Sequence, residues 1–254
     1  MKKIVFINEK GGVGKTSCCF NTAWELSKRG KKVLIIDLDG QKGNITFVSG
    51  IRVNDDMLTT YDVLQRGKKI DEVKHNLKEN LDIVPASMET TNLSETAKIA
   101  TFKTQLKEVE NEYDYVFMDV NPTPGRSHVM TLAVADYAII PMEPDVLSLS
   151  GTSGIAETIE QLKDEANHNL KVLGIVFNKF SPRTNLSKDV YLETSKIARK
   201  LNTKIFDSTI RRGISLSELP ASHTGITDYD PGSLVAEDII RFTNEFEKEV
   251  AANA

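Results

Sequence analysis

The sequence carries Glu9-Lys10-Gly11-Gly12-Val13-Gly14-Lys15-Thr16 directly after a short apolar run that spans Lys2 to Asn8. Such a run, with β-branched residues and polar boundaries, is typical of a buried parallel strand. Beyond the motif, apolar residues recur at near-helical spacing until Gly30, which follows two cations and ends the pattern. Strand, loop and helix together predict a phosphate-binding loop, because glycines let backbone N–H groups converge and the helix dipole favours an anion.

The motif assigns roles to individual residues of this loop. Lys15 is predicted to reach the β- and γ-phosphates of a nucleotide, and the Thr16 hydroxyl to bind Mg²⁺. The pattern departs from the general motif G-x-x-x-x-G-K-[ST], because Glu9 stands at the position of the first glycine and Lys10 precedes the double glycine. This K-G-G-x-G-K-T arrangement resembles the deviant Walker A motif of the ParA/MinD family of dimerising ATPases.

The resemblance implies a fold, a cofactor and an assembly. The expected fold is a single α/β domain over residues 1–254, with a mostly parallel twisted sheet and helices on both faces, and the chain is long enough to bury its core. ATP with Mg²⁺ is the expected cofactor. In a homodimer that encloses ATP, Lys10 is expected to cross to the partner's nucleotide. The expected nucleotide contacts in the loop are Gly11, Gly12, Val13, Gly14, Lys15, Thr16 and Ser17.

Two further predicted strands end in carboxylates. The first runs from Lys32 to Asp39 and contains Asp37, and the second is the apolar run before Asp119. Ligands of open α/β sheets lie beyond the carboxyl ends of strands, so these acids are placed to face the phosphates. By resemblance to the family's switch I and Walker B segments, Asp39 orients the attacking water, whereas Asp37 and Asp119 support the hydrated Mg²⁺.

Three positions depart from the family pattern in the segments that surround the nucleotide. Gly40 replaces the proline of switch I, where one extra residue is also inserted. Asn121 replaces the first proline of switch II, and Asp145 replaces a glutamate that follows the strand from Tyr137 to Pro141. A mobile switch I loop is therefore expected, and the cross-dimer role of the family's glutamate is not assigned to Asp145.

The resemblance also implies a nucleobase site. Asn178 ends an apolar run that begins at Leu170, and by resemblance its amide, which has both a donor and an acceptor, reads adenine. An asparagine in a strand-end turn remains the alternative. Arg211 replaces the proline of a loop that in the family lies against adenine through its backbone, and it is the second residue expected at the base.

Charge is unevenly distributed along the chain. Residues 171–212 contain ten Lys/Arg and three Asp/Glu, a balance of +7, so the remainder carries −11 to give the net −4. A basic cluster on an acidic protein is typical of contact with a phosphate backbone without base readout. By resemblance to ParA-like proteins, Arg183, Arg211 and Arg212 are candidates for non-specific DNA binding by the ATP-bound dimer. A solvated helix face is the alternative.

The C-terminal segment bears on membrane binding. Its apolar residues repeat at helical spacing, at Val235, Ile239, Phe242, Phe246 and Val250, but the other face carries five acids against two cations. Anionic lipids would repel that face, so we expect the helix to pack on the domain. No run of about 18 apolar residues and no signal peptide is seen, and adjacent Cys18 and Cys19 suit a reducing cytoplasm.

These features lead to one main hypothesis and two alternatives. The main one is a Mg²⁺-dependent ATPase with weak intrinsic activity that partitions DNA, is stimulated by a ParB-like partner protein, and is cytoplasmic and nucleoid-associated. The second is a MinD-like switch that acts on a protein or a membrane partner. The third is a metabolic enzyme on the same fold, such as an amidotransferase-type synthetase or an iron–sulfur reductase. The position of both cysteines behind the phosphate loop disfavours the reductase.

Overall fold

The computed structural model describes residues 1–41, 43–93, 97–180 and 188–253. Within these residues seven strands form one sheet in the order β3-β4-β2-β5-β1-β6-β7. Neighbouring strands are parallel except at one edge, where β3 is antiparallel to β4. The strands are β1 (Lys2–Phe6), β2 (Val33–Leu38), β3 (His75–Lys78), β4 (Leu81–Val84), β5 (Tyr115–Val120), β6 (Tyr137–Met142) and β7 (Lys171–Phe177).

Helices cover both faces of this sheet. One face packs on α3, α5, α6 and α7, and the other on α1 and α11, so the predicted α/β fold class is confirmed. The helices are α1 (Lys15–Lys28), α2 (Ile45–Val48), α3 (Thr60–Gln65), α4 (Ile70–Val73), α5 (Ile99–Glu108), α6 (Arg126–Val134), α7 (Val146–Glu165), α8 (Lys188–Lys200), α9 (Ile214–Glu218), α10 (Ile226–Tyr229) and α11 (Leu234–Ala252), with 3₁₀ turns at Met88–Asn92 and Leu219–Ala221.

The central strands are continuous apolar runs because both of their faces are covered. In β1, Ile4 and Phe6 pack toward α1 and α11, whereas Val5 packs on the opposite face. All three side chains are fully buried. Burial of each such side chain stabilises the fold by about 1.5–3 kcal/mol, which fixes the strand at the centre of the sheet.

The C-terminal helix packs on the domain, as the sequence predicted. Phe242 and Phe246 are fully buried, and the Phe246 ring lies 5.6 Å from the ring centroids of both Tyr115 and Phe117. Among the described residues, no helix is both long and apolar enough to cross a membrane.

Both edges of the sheet contain features that the sequence did not predict. The sequence of residues 47–80 predicts a variable helical insertion, but the edge strand β3 lies at its end, where the half-exposed sequence HNLK shows no clear alternation. At the other edge, residues 203–206 run beside β7: Ile175 N–H donates to Lys204 O at 3.0 Å, and Phe206 N–H donates to Ile175 O at 2.9 Å. The apolar spacing of residues 94–111 predicts a helix; in the structure α5 begins at Ile99, and residues 94–96 are outside the described part.

The strand order brings the predicted site residues together. β2, β5, β1, β6 and β7 are successive neighbours, and their carboxyl ends point to one edge. Asp37 and Asp119 are register partners, and Phe6, shortly before the glycine-rich loop, pairs with Asp119. The glycine-rich loop therefore follows the carboxyl end of β1, in the middle of these five strands. Asp37 and Asp119 lie on the β5 and β2 side of the loop, and Asn178 lies on the β7 side.

Candidate nucleotide-binding site

The glycine-rich loop has the backbone geometry of a phosphate-binding loop. Gly12 and Gly14 adopt left-handed conformations, with φ of 78° and 90°. Helix α1 begins directly after Gly14, at Lys15, and Gly14 has no side chain with which to cap its first turn. The first N–H groups of a helix lack intrahelical acceptors, so this helix N-terminus is suited to an anion.

Gly14 also brings the loop against the end of β7. A Cβ at this position would lie 1.8 Å from Asn178 Nδ2, so a side chain there would displace the amide. The amide holds the loop in return, because Asn178 Nδ2 donates to Val13 O at 2.8 Å. The phosphate loop and the residue predicted to read the base therefore form one unit.

Lys15 is buried in the loop, with 6% of its surface exposed. Its Nζ donates to Lys10 O at 3.3 Å. Burial lowers the pKa of Lys15, and the nearby charges of Asp119 and Asp39 oppose this effect. The structure thus places the ammonium group and the two predicted carboxylates around one point, where phosphates would join them.

Thr16 and Asp119, the residues predicted to hold the metal, are in direct contact. Thr16 Oγ1 donates to Asp119 Oδ2 at 2.7 Å, and Asp119 Oδ1 is buried without a hydrogen-bond partner among the described residues. A hydroxyl and a carboxylate are hard oxygen donors of the kind that Mg²⁺ prefers, and the buried carboxylate oxygen is available to a metal-bound water. The residues therefore fit a hydrated magnesium ion.

Asp37 binds the backbone on both sides of the switch I segment, at Asp39 and at Thr46. This fully buried carboxylate accepts hydrogen bonds from the backbone N–H groups of Asp39 and Thr46, both at 2.9 Å. Burial and the charge of Asp119 raise its pKa well above the ordinary value. Because both oxygens already have protein donors, contact with Mg²⁺ through water is the arrangement that its position favours.

Asp39 lies at the start of the switch I loop. Its Oδ1 accepts from Gln41 N–H at 2.9 Å, and its carbonyl oxygen accepts from Asn44 Nδ2. Burial raises the pKa of Asp39, an effect that the Lys15 charge reduces. The carboxylate is therefore held at the edge of the site by its own loop, in a position suited to orient water.

Burial of Asp119 predicts a pH dependence of stability in protein free of metal and nucleotide. Burial raises the Asp119 pKa from 3.8 to about 7. The folded protein therefore keeps a proton that the unfolded chain releases above about pH 4. This contribution is complete below about pH 4 and is lost as the pH rises through about 7. We expect the free energy of unfolding, measured by urea denaturation, to fall between about pH 5 and about pH 7.5.

Asp119→Asn is the control for this experiment, because asparagine keeps the shape but does not titrate. The decrease in unfolding free energy over the same pH interval should be smaller in the variant. Equal pH slopes in the two proteins would contradict the assignment of the proton to Asp119.

A cavity of about 300 Å³ adjoins the loop on the Asn178 side, a volume sufficient for a purine. Asn178 Oδ1 is buried and has no hydrogen-bond partner among the described residues, whereas its Nδ2 is committed to Val13. The group left for a base is therefore an acceptor. Residues that line the cavity are Gly14, Ser17, Asn178, Lys179, Arg212, Gly213 and Leu216.

The three arginines predicted to bind DNA have different environments. Arg183 lies outside the described residues. Arg211 is paired with Asp238, a carboxylate only 3% exposed, through its backbone N–H at 3.0 Å, Nε at 2.5 Å and Nη2 at 2.9 Å. The Arg211 charge is thus neutralised within the fold, and its guanidinium is a poor candidate for contact with either phosphate or base. Arg212, 72% exposed, lies 3.8 Å from Glu143.

Lys10 is held by the start of α7 in its own subunit. Its Nζ lies 3.1 Å from Asp145 Oδ1 and 2.9 Å from Ser148 Oγ. Asp145 also caps α7 by accepting from Ser148 N–H at 2.8 Å. The loop fits closely here, since a Cβ at Gly151 would lie 2.9 Å from the Lys10 backbone nitrogen.

Sequence reasoning missed several residues that support the site. Asn8 positions the loop by accepting from Lys10 N–H at 2.9 Å, and Glu143 holds Lys179 at 2.7 Å beside the base cavity. The sequence does carry a signal for the close packing of α7 against the glycine-rich loop, namely Gly151 and Gly154. Two glycines three positions apart in a helix indicate that another segment approaches closely. Asn8 and Glu143 have no comparable local signal.

Comparison with known proteins identifies the family. A family model described as an AAA domain matches residues 1–172. The chain is 34% identical to the sporulation initiation inhibitor protein Soj of Bacillus subtilis, with 100% of both chains covered. It is 30% identical to the chromosome partitioning protein ParA of Myxococcus xanthus, with 96% of this chain and 87% of the relative covered.

The fold comparison agrees with these relationships. The structure of apo McdA from Cyanothece is similar to this chain with a TM-score of 0.84 at 21% identity, and the match covers 97% of this chain and 99% of McdA. The grounds for assigning the family are the full-length similarity to Soj, the matched family model and the geometry of the glycine-rich loop. The chain therefore belongs to the ParA/MinD family of P-loop ATPases, on its Soj/ParA branch.

Proposed function

We propose that this chain binds ATP with Mg²⁺, dimerises around the nucleotide and, as a dimer, holds DNA without reading its sequence. Hydrolysis would return it to monomers and release the DNA. The relative in Myxococcus xanthus is named for chromosome partitioning, which supports a role in DNA partition. Under this proposal the protein acts in the cytoplasm, on nucleoid DNA while ATP is bound.

The observation that carries the proposal is the difference between the two lysines of the loop. Lys15 is buried within the loop, where a phosphate would lie. Lys10 is directed away from it, toward the N-terminus of α7 and the exposed side chains of Val146 and Leu147. A cation and apolar side chains on one surface beside the site suit contact with a second subunit, in which Lys10 would reach the other nucleotide.

Different residues of this chain would have different roles in hydrolysis. ATP with Mg²⁺ supplies the reactive phosphate and part of the charge neutralisation, held by the loop, Lys15, Thr16 and Asp119. Asp39 would orient the attacking water, in a position fixed by Asn44. Loss of the γ-phosphate would remove the contacts that order switch I. Turnover should be slow without a stimulating partner protein, because a loop, and not a rigid strand, positions Asp39.

The geometry of Asn178 predicts a preference for ATP over GTP. Its free Oδ1 can accept from the adenine amino group, whereas guanine presents the O6 acceptor at that position. We expect at least about tenfold tighter binding of ATP, in competition with a fluorescent ATP analogue. Asn178→Ala should reduce the ratio, and Asn111→Ala, at an exposed asparagine after α5, should leave it unchanged. Equal affinities in the wild type would contradict the role of Asn178.

The proposed DNA surface depends on fewer cations than the sequence suggests. Within the described part of residues 171–212, most basic side chains are paired with carboxylates: Lys179 with Glu143, Lys196 with Glu193, Lys200 with Glu160, Lys204 with Glu245 and Glu249, and Arg211 with Asp238. Among the described residues, Lys171 and Arg199 donate only to backbone carbonyl oxygens, and Arg212 lies 3.8 Å from Glu143 and is largely exposed. Of these three cations, Arg212 is our first candidate for phosphate contact because it lies beside the glycine-rich loop.

Arg212→Ala should weaken binding to a non-specific duplex in the presence of ATP. We expect a loss of about tenfold, and a salt dependence shallower by about one unit for each arginine removed, because each phosphate contact releases a counterion. Lys107→Ala, at an exposed cation of α5 beside the amino ends of the central strands, is the matched control. ATP affinity must be measured in parallel, since Arg212 also lines the base cavity.

Three nucleotide states, ATP, ADP and none, complete this experiment. DNA binding that requires ATP and is lost with Lys10→Ala would support partition through a nucleotide-dependent dimer. No DNA binding in any state, with ATP-driven dimerisation intact, would overturn the DNA part of the proposal and favour the MinD-like switch on a protein partner.

A further inference from the structure

The side chain of the asparagine that follows β5 is buried and has no hydrogen-bond partner among the described residues. Asn121 is only 5% exposed, its Oδ1 is fully buried, and no described residue bonds to either end of its amide. A buried amide without partners costs free energy, because it has lost its hydrogen bonds to water. In native proteins such a group marks a place where something else supplies the missing bonds. None of the roles assigned above involves this side chain.

The alternation of side chains along β5 directs Asn121 to the nucleotide side of the sheet. Val120 packs toward α5 and α6, whereas Phe117 packs toward α1 and α11. Asp119 shares the face of Phe117, and there it accepts from Thr16 Oγ1 at 2.7 Å. Asn121 is the next residue with this direction, because side chains two positions apart in an extended segment lie on one face. The alternation therefore places its amide beside the carboxylate and the hydroxyl predicted to hold the metal.

Two contacts hold the backbone of this residue at the glycine-rich loop. His128 Nε2, on α6, lies 2.8 Å from the Asn121 carbonyl oxygen, and since a carbonyl oxygen only accepts, the ring N–H is at Nε2. On the other side, a Cβ at Gly11 would lie 3.7 Å from Pro122 Cγ, so switch II lies against the start of the loop. Pro122 cannot supply a backbone N–H to a phosphate, whereas the Asn121 side chain carries two N–H groups.

The direction of a nucleotide across the site identifies the group that Asn121 would meet. The base cavity adjoins Asn178 on the β7 side of the loop, and the carboxylates lie on the β5 side. A nucleotide with its base in that cavity therefore extends its phosphates across the loop toward β5, with the terminal phosphate furthest from the base. Asn121 directly follows β5. The group that reaches it is accordingly the phosphate that ATP has and ADP lacks.

We propose that the Asn121 side chain is the switch II contact to the terminal phosphate of ATP, with Nδ2 donating to a phosphate oxygen and Oδ1 accepting from the water beside it. The inference rests on the proposed function, in which ATP and ADP have different effects on the protein. It concerns this chain in particular, since the proline expected at this position by resemblance has no side-chain donor or acceptor. Asn121 would thereby allow the site to distinguish ATP from ADP.

Asn121→Leu tests this contact, because leucine has nearly the shape of asparagine but neither a donor nor an acceptor. Isothermal titration of the full chain with Mg²⁺ compares a slowly hydrolysed ATP analogue with ADP. We expect the affinity for the analogue to fall about tenfold and the ADP affinity to stay at the wild-type value. The nucleotide-free variant should unfold at the same or a higher temperature, because an unpaired buried amide has been removed. Asn169→Leu, at an exposed asparagine before β7, is the matched control and should change neither affinity.

Two further proteins complete the set of titrations. Asn121→Ala is a smaller change, and it should lower the ratio of ATP-analogue to ADP affinity even if the leucine variant does not fold. Each titration is also repeated in Lys10→Ala protein, because dimerisation would otherwise add to the affinity for the analogue.

A purely structural role for Asn121, or a contact to the metal alone, predicts a different result. Both affinities would then fall by the same factor, with a lower unfolding temperature in the structural case, and an unchanged ratio would overturn the inference. If the wild type binds neither nucleotide, the proposed function fails together with this inference. If the wild type binds and hydrolyses ATP but Asn121→Leu and Asn121→Ala keep its affinity ratio, this inference alone is wrong.

Discussion

Replacing Lys15 with glutamine is expected to reduce ATP hydrolysis at least a hundredfold, the size of effect seen when one preorganised donor to a developing charge is removed. The Lys15 side chain is buried, and its charge lies near those of Asp119 and Asp39. Glutamine keeps a donor but not the charge. The two carboxylates would then face the phosphates without a compensating cation, so both ATP affinity and turnover should fall.

Isothermal titration with ATP and single-turnover phosphate release measure the two effects separately. Lys32→Gln, an exposed lysine before β2, is the matched control and should behave as wild type. Thermal unfolding of the nucleotide-free variant shows whether the fold is kept. If the Lys15→Gln protein is folded and has wild-type ATP affinity and turnover, Lys15 is not part of the nucleotide-binding site.

Replacing Lys10 with alanine should abolish ATP-driven dimerisation while each monomer still binds ATP. The Lys10 side chain leaves its own loop, so its loss costs the monomer little, whereas a dimer would lose one charge-assisted phosphate contact at each of two sites. Each such bond is worth about 1.5–3 kcal/mol, so the dimer should weaken at least a hundredfold.

Asp145→Asn is expected to have the opposite effect on the same equilibrium. Lys10 must leave Asp145 before it can cross to a partner, and asparagine removes that ion pair while it can still cap α7. Since a partly exposed ion pair contributes about 0–1 kcal/mol and two such pairs are broken per dimer, dimerisation should tighten by at most about thirtyfold.

Sedimentation of both variants with a slowly hydrolysed ATP analogue measures the dimerisation constants directly. ADP supplies the reference state, in which neither variant should dimerise. If Asp145→Asn dimerises more weakly than the wild type, the Lys10–Asp145 ion pair does not compete with dimerisation. Asp145 would then be part of the dimer interface.

The sequence was sufficient to predict most of the fold and the position of the three carboxylates at the candidate site. Six strands are apolar runs buried on both faces, a pattern with few alternatives, and Asp37, Asp39 and Asp119 could be placed because strand ends meet at one edge of a parallel sheet. The edge strand β3 escaped prediction because it is short, polar and half-exposed, so neither burial nor alternation marks it.

Pairings between distant residues could not be predicted, because they depend on the path of the whole chain. Arg211 was expected at the base or on DNA, but Asp238, 27 residues further on, accepts all of its described hydrogen bonds. Lys10 and Asp145 are 135 residues apart, and only the close approach of α7 to the glycine-rich loop brings them together. Local pattern determines which residues carry charge, whereas tertiary packing determines which of those charges remain free.

The segment beside β7 has a consequence for solubility. An outer strand as apolar as β7 would normally offer its unpaired backbone groups to a strand of another molecule and start irreversible aggregation. Here Lys204 and Phe206 occupy those groups at Ile175. Under the proposed function the protein would assemble and separate repeatedly, and this edge restricts it to contacts between folded surfaces, which could be reversed when the bound nucleotide changes.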